Sequence, residues 1–150
     1  MLYPSDIDAF IVTLKLATST TLILLLIGTP LAWWLSRTKS RVRSLVEALI
    51  ALPLVLPPTV LGFYLLLALS PSGPIGRTVA ALGLPSLAFS FSGLVLGSVI
   101  YSLPFVVQPL QNSFNAIGQS ALEVAATLGA SPLDRFINVV IPLSKFGYLT

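Results

Sequence analysis

The chain has 150 residues, of which 55% are hydrophobic and only 9% are charged, with a formal net charge of +3. A soluble domain carries about 25% charged residues, so the composition excludes an ordinary water-exposed surface and favours one that faces lipid. Cysteine and histidine are both absent, which excludes disulfide bonds, thiolate metal sites and catalysis by either side chain.

The first predicted membrane span covers about residues 9–36. Its start is acidic, at Asp6 and Asp8, and its apolar run exceeds the roughly 7–15 residues of a secretory signal, so we interpret it as an uncleaved span. Four basic residues follow it directly: Arg37, Lys39, Arg41 and Arg43. The positive-inside rule therefore predicts that segment 37–47 is cytoplasmic and that the N-terminus lies outside.

Two more spans are predicted over about residues 48–70 and 88–110, with a turn-rich external loop between them. Segment 111–145 is then cytoplasmic. Apolar character returns after about residue 142 as the start of a fourth span, which needs about 20 residues, so we expect the subunit to be incomplete at its C-terminus. The predicted fold class is all-α, a polytopic membrane helix bundle forming a single domain over 1–150.

Prolines interrupt the second predicted span, at Pro53, Pro57 and Pro58. A proline cannot donate a backbone hydrogen bond and clashes with the preceding helical turn, and carbonyls freed in lipid must find partners or line a wet cavity. We therefore name Pro57, Pro58, Thr59 and Gly62 as candidate residues of a translocation path or gate. The alternative that stays open is a packing kink without substrate contact.

Segment 120–142 has the signals of two short helices joined by a sharp turn. Ser120 and Glu123 have the spacing of a capping box, and Gly129 fits a left-handed C-terminal cap. The Ser-Pro pair that follows restarts a helix, and Pro142 is expected to end it. These features alone are equally compatible with an ordinary loop between two spans.

The same segment resembles the cytoplasmic signature of ABC importer permeases, E-A-A-x-x-x-G followed at a fixed distance by I-x-L-P. Glu123, Ala125 and Gly129 fall on the pattern, and residues 139–142 lie at the expected distance, with conservative departures at Val124, Val139 and Ile141. The resemblance implies a coupling helix that sits in a groove of a cytoplasmic ABC ATPase subunit. Its candidate residues are Glu123, Ala125, Ala126, Gly129 and Pro142.

Three further stretches, residues 52–62, 70–76 and 102–107, are similar to the molybdate permease subfamily. The resemblance covers essentially the whole chain. It implies a multi-pass permease of the inner or plasma membrane that translocates molybdate, forms a homodimer in the lipid bilayer and receives its anion from an extracytoplasmic oxyanion-binding protein.

This chain contains no phosphate-binding loop, so ATP hydrolysis is assigned to the partner ATPase. We expect that the chain itself is not an enzyme, that it binds no cofactor or metal, and that it does not contact nucleic acid.

Other functions stay open at this point. Relatives often carry basic residues just past span three, where this chain has Gln108 and Gln111, so a permease for sulfate, tungstate or another oxyanion is an alternative. A passive channel or interaction subunit is another, since neither would require the spacing from Glu123 to Pro142. An intramembrane enzyme is disfavoured because the five acidic residues do not lie deep in a span.

Overall fold

The computed structural model of the chain describes residues 4–117 and 119–149, and in these ranges the chain is helical with no strand. The all-α prediction is therefore confirmed. The helices are α1 (Pro4–Arg37), α2 (Val42–Val55), α3 (Pro58–Leu69), α4 (Pro74–Ala81), α5 (Phe91–Ala116), α6 (Gln119–Thr127), α7 (Pro132–Arg135), a π-helical turn (Phe136–Val140), α8 (Ile141–Leu143) and α9 (Lys145–Leu149).

Local interactions stabilise both ends of the first helix and satisfy some of its hydroxyls. Asp6 in the first turn and Arg37 in the last turn complement the helix dipole. The hydroxyls of Thr13 and Thr18 each donate to the carbonyl four residues back, at 2.8 Å, so they need no partner in lipid. Pro30 lies within the helix without ending it.

Within the residues that the structure describes, three helical stretches are long and apolar enough to cross a membrane: Asp6–Arg37, Pro58–Ala81 and Phe91–Ala116. Many of their large apolar side chains are exposed, including Phe10 and Leu26 on α1. Exposed apolar surface on this scale is unstable in water, and it is the surface that helices in a bilayer present to lipid.

The predicted second span is two helices rather than one. α2 passes through Pro53 and ends at Val55, and α3 starts at Pro58, in the first-turn position where a proline costs no hydrogen bond. Pro57 between them is extended, with φ −56° and ψ 137°. Two of the three prolines therefore make the break, and the third is accommodated inside a helix.

The connections are more helical than the sequence indicated. Segment 37–47 was expected to be a loop, but the link between α1 and α2 is only residues 38–41, and Arg43 and Glu47 lie on α2. The segment expected to be an external loop contains the two-turn helix α4.

The chain divides into two compact units. The first comprises Met1–Leu25 and Leu49–Pro104, and the second comprises Leu26–Ala48 and Phe105–Thr150. Within the second unit, Leu35, Phe114 and Val140 are fully buried, and α1 and α5 approach closely at Gly28, where a Cβ would lie 3.1 Å from Val106. The candidate coupling segment belongs to this second unit.

Candidate functional site

A tight turn joins α6 to α7 and is built as the sequence predicted. Gly129 has φ +82°, a conformation that costs a side-chain-bearing residue about 1–2 kcal/mol. Its N–H donates to the carbonyl of Ala126, and the N–H of Ala130 donates to the carbonyl of Ala125, both at 3.0 Å. This pair of bonds is a Schellman motif, so the predicted left-handed cap at Gly129 is confirmed.

The second helix of the hairpin starts at a reciprocal cap. The Ser131 hydroxyl accepts from the backbone N–H of Asp134 at 3.2 Å, and the Asp134 carboxylate accepts from the Ser131 N–H at 3.3 Å. The hydroxyl also donates to that carboxylate at 2.6 Å. Pro132 takes the first helical position. These bonds fix the chain direction directly after the turn.

The first predicted cap lies partly outside the described residues. The capping pair Ser120–Glu123 depends on the Ser120 side chain, which is outside them, while Glu123 is exposed on α6. The α6–α7 hairpin, defined as residues 119–135, brings Glu123, Ala125, Ala126 and Gly129 onto one short element.

The last of the predicted coupling residues is separate from this turn. Pro142 lies in α8, beyond α7 and the π-helical turn. Helical structure runs from Pro132 to Leu143 and so ends one residue beyond Pro142, close to the end that was expected. The N–H of Ile141 donates to the carbonyl of Phe136, five residues back. This wider turn accommodates a residue that has no N–H of its own to donate.

Three large apolar side chains on the hairpin face solvent. Leu128 is 81% exposed, Leu133 is 67% exposed and Val124 is 59% exposed. We call these three residues the apolar turn residues. Since they flank the sharp turn and leave apolar surface uncovered, the hairpin is suited to insertion into an apolar groove of a partner protein.

A second group of side chains braces α2 against α5. One carboxylate oxygen of Glu47, Oε1, accepts from Arg43 Nε at 2.8 Å and from Gln111 Nε2 at 2.6 Å. The hydrogen bond from Arg43, followed by that from Gln111, holds the pKa of the Glu47 carboxyl below its usual range. Gln111, singled out in the sequence as a departure from related permeases, thus has a structural role.

The candidate gate residues lie beside an apolar groove. In the first unit, α3, α5 and the segment leading into α5 enclose a groove of about 510 Å³, and Pro58 and Gly62 are among its lining residues. Pro57 and Thr59 are exposed and lie outside that lining. The polar side chains in the lining are Ser90, Ser98 and Tyr101, so the groove offers hydroxyls but no charge to an anion.

Two glycines near this groove serve different purposes. Gly97 of α5 faces Leu65 of α3, and a Cβ built at the glycine would lie 3.8 Å from that side chain, an ordinary van der Waals contact. Gly93 instead makes room for the backbone carbonyl of Leu87, in the segment leading into α5.

Sequence reasoning missed the apolar turn residues and the brace at Glu47. Leu128 and Leu133 flank a Gly-Ala-Ser-Pro turn, and a tight turn leaves such side chains few neighbours to pack against, which is a usable signal. The contact of Glu47 with Gln111 spans 64 positions, and no local pattern indicates it.

Comparisons with known proteins agree with this geometry. A family model described as "Binding-protein-dependent transport system inner membrane component" matches residues 19–150. The chain is 59% identical to the molybdenum transport system permease protein ModB of Azotobacter vinelandii, over 97% of the chain and 64% of that relative.

More distant relatives also match nearly the whole of this chain over about half of their own length. The chain is 40% identical to the ModB protein of Mycobacterium tuberculosis, over 93% of the chain and 53% of that relative. It is 34% identical to the sulfate transport system permease protein CysT of Synechocystis, over 98% of the chain and 51% of that relative. The chain thus spans between half and two thirds of the length of these relatives. The match over residues 19–150 shows that the chain belongs to the family of inner membrane components of binding-protein-dependent transport systems.

Proposed function

We propose that this chain forms the membrane-spanning part of an ATP-driven importer that translocates molybdate. The observation that carries the proposal is the α6–α7 hairpin, a rigidly capped turn with Leu128 and Leu133 exposed at it. The choice of molybdate is supported by the 59% identity to a molybdenum permease, against 34% to a sulfate permease.

The hairpin is the proposed docking element for a cytoplasmic ABC ATPase, which binds and hydrolyses the ATP. The exposed apolar turn residues would fill an apolar groove of that subunit, and Ala126 and Gly129 allow its surface to approach the backbone. Glu123, exposed on the same helix, presents a carboxylate to the partner. Ala125 is half-buried and is proposed to pack within the chain rather than on the ATPase. Pro142 is proposed to act indirectly, by shaping the helix that follows the hairpin.

The translocation path is proposed to pass the break between α2 and α3. Pro57 and Pro58 make the break, and Thr59 and Gly62 follow on α3. Backbone carbonyls freed by the prolines are suitable for a wet path. Since α3 and α5 contain no charged residue, the anion would be held weakly in transit, and selectivity would reside in an extracytoplasmic oxyanion-binding protein.

The working assembly is proposed to be a homodimer in the inner membrane with its N-termini outside. The basic cluster from Arg37 to Arg43 supports a cytoplasmic position for the link between α1 and α2. Segment 111–145, which carries the hairpin, then lies on the same side as the ATPase.

The test is uptake of radiolabelled molybdate into vesicles that carry the subunit containing this chain, its ABC ATPase and its binding protein. We expect uptake to depend on ATP, to be blocked by tungstate and to resist sulfate. A Gly129→Trp variant should abolish uptake, because tryptophan cannot adopt the turn conformation without strain and would obstruct docking.

Other outcomes would overturn the proposal in distinct ways. Uptake of sulfate but not molybdate would keep the importer and replace the anion, as the similarity to the sulfate permease allows. Anion flux that persists without ATP and in the Gly129→Trp variant would indicate a passive channel.

A further inference from the structure

Four aromatic side chains form a cluster within the second unit, and one of them, Phe136, directly follows the hairpin. Trp33 of α1 lies 5.5 Å from Phe114 of α5 and 5.3 Å from Phe136 of the π-helical turn, measured between ring centroids. Phe114 also lies 6.3 Å from Phe136 and 6.4 Å from Tyr148 of α9. Most of these pairs meet edge to face, the geometry that aromatic rings prefer.

The cluster joins three separate parts of the chain at one point. Phe114 is fully buried, so its ring is held on all sides and cannot move without moving its neighbours. The guanidinium of Arg37 lies over the ring of Trp33, with Cζ 4.5 Å from the ring centroid. α1 and α5 each present one ring here, and Phe136 is the ring contributed by the segment that leaves the hairpin.

The connection from the hairpin to Phe136 is short and continuous. Phe136 directly follows α7, whose start is fixed by the reciprocal cap between Ser131 and Asp134. From there the helix runs without interruption into the π-helical turn. A displacement of the hairpin therefore reaches Phe136 through bonded helix rather than through a flexible loop.

The last residue of the π-helical turn, Val140, is held by a buried hydrogen bond. The Ser144 hydroxyl donates to the carbonyl of Val140 at 2.6 Å, and both residues are buried. Short π-helical segments occur frequently at functional sites. Here the segment holds an aromatic ring against two helices that belong to predicted membrane spans.

We propose that Phe136 is a positioning residue that passes displacement of the hairpin to α1 through Trp33 and to α5 through Phe114. This inference rests on the proposed function, since it requires an ATPase that moves the hairpin. It adds an identified route by which that movement reaches the spans. The route runs through the ring contacts of Phe136 with Trp33 and with the fully buried Phe114.

The experiment compares three variants in the complete importer, reconstituted with its ATPase and binding protein. Phe136→Ala removes the ring, Phe136→Tyr keeps it, and Phe10→Ala removes an exposed ring from α1 as the matched control. For each, we measure the ATPase retained on purification, the rate of ATP hydrolysis, and the molybdate transported per ATP hydrolysed.

We call this transfer of movement through Phe136 the relay. If it operates, the Phe136→Ala variant keeps its bound ATPase and its rate of ATP hydrolysis. The molybdate transported per ATP falls by at least about fivefold, the lower end of typical allosteric coupling. Phe136→Tyr and Phe10→Ala should match the wild type. If Phe136→Ala transports as efficiently per ATP as the wild type, the relay is refuted. If it loses the ATPase in proportion to transport, the residue has a structural or docking role and the relay is equally refuted. Where Phe136→Ala fails to assemble, Phe136→Leu, which keeps apolar bulk without a ring, takes its place.

A second measurement separates failure of the relay from failure of the proposed function. Because the chain has no cysteine, a single cysteine at exposed Lys39, directly after α1, can report movement of that end of the helix through its rate of reaction with a maleimide. We expect nucleotide to change this rate in the wild-type background and not in Phe136→Ala. A wild-type importer that transports no anion would overturn the proposed function. A transporting wild type whose Lys39→Cys response survives Phe136→Ala would overturn the relay alone.

Discussion

Gly129 determines whether the hairpin can form its turn. A valine there would carry about 1–2 kcal/mol of backbone strain at φ +82°, which lowers the ratio of native to non-native turn by roughly 5–30-fold. We predict that Gly129→Val weakens binding of the ATPase and lowers uptake, while Gly129→Asn retains most of both, since asparagine tolerates this conformation.

Gly83 provides the matched control for that variant. It also has a positive φ, of +71°, and a Cβ built at either glycine meets no atom within 4 Å. Gly83→Val therefore introduces comparable strain outside the hairpin. ATPase binding should be normal in Gly83→Val, and equal loss in both valine variants would contradict a specific role for the turn.

Glu47 gives the brace between α2 and α5 a dependence on pH. Its pKa is lowered by hydrogen bonds from Arg43 and Gln111, so its stabilising effect is complete above pH 4.5, the ordinary pKa of glutamate, and is lost as pH falls through the lower pKa of the folded state. Because the side chain is 37% exposed, the effect is worth no more than about 1 kcal/mol.

Thermal unfolding of the purified protein tests this brace. We expect Gln111→Ala to lower the melting temperature at pH 7 and the difference from the wild type to shrink below pH 4. A difference that stays constant across this range would show that Gln111 stabilises the protein through packing rather than through the Glu47 carboxylate.

At the scale of helices, the break between α2 and α3 is the feature with the clearest functional consequence. Pro57→Ala combined with Pro58→Ala removes two residues that each disfavour a helix interior by about 3 kcal/mol, so α2 and α3 should join into one helix. We predict loss of uptake with the subunit still inserted and bound to its ATPase. Pro30→Ala, in the unbroken part of α1, is the control and should transport normally. Normal uptake by the double variant would show that the break is a packing kink with no role in transport.

The sequence predicted the elements that depend on neighbouring residues. The cap at Gly129 and the restart at Ser131 follow from local backbone rules, and the structure has both. The π-helical turn was beyond such rules, because a proline at position 142 predicts a nearby helix end but not the hydrogen bonds of the turn before it. That turn is closed by the bond from Ile141 to Phe136, made in a segment whose Val140 is packed in the core of the second unit.

Contacts between distant parts of the chain could not be predicted in this way. Trp33 and Phe136 lie far apart in sequence, yet the ring of Trp33 packs on Phe114 and Phe136. A membrane helix is apolar on all its faces. Its sequence therefore does not distinguish the face that meets protein from the face that meets lipid.

At the scale of the whole molecule, the proposed orientation is open to direct measurement. The absence of native cysteine allows single cysteines at Lys39, between α1 and α2, and at Ser72, between α3 and α4, both exposed. With the N-terminus outside, an impermeant maleimide added to intact cells should label Ser72→Cys and reach Lys39→Cys only after permeabilisation. The reverse pattern would invert the topology and place the hairpin away from any cytoplasmic ATPase.

The division of the second crossing into α2 and α3 also bears on how the protein enters the membrane during synthesis. α2 has 14 residues and α3 has 12, and both fall short of the roughly 17–25 residues that span a bilayer independently. α1, with 34 residues, can be inserted as soon as it is made. α3 reaches that length only together with α4, in the stretch Pro58–Ala81, and α2 does not reach it. We expect α2 to enter the membrane only with a following helix, so the prolines order the biogenesis of this subunit, with the long first helix as its anchor.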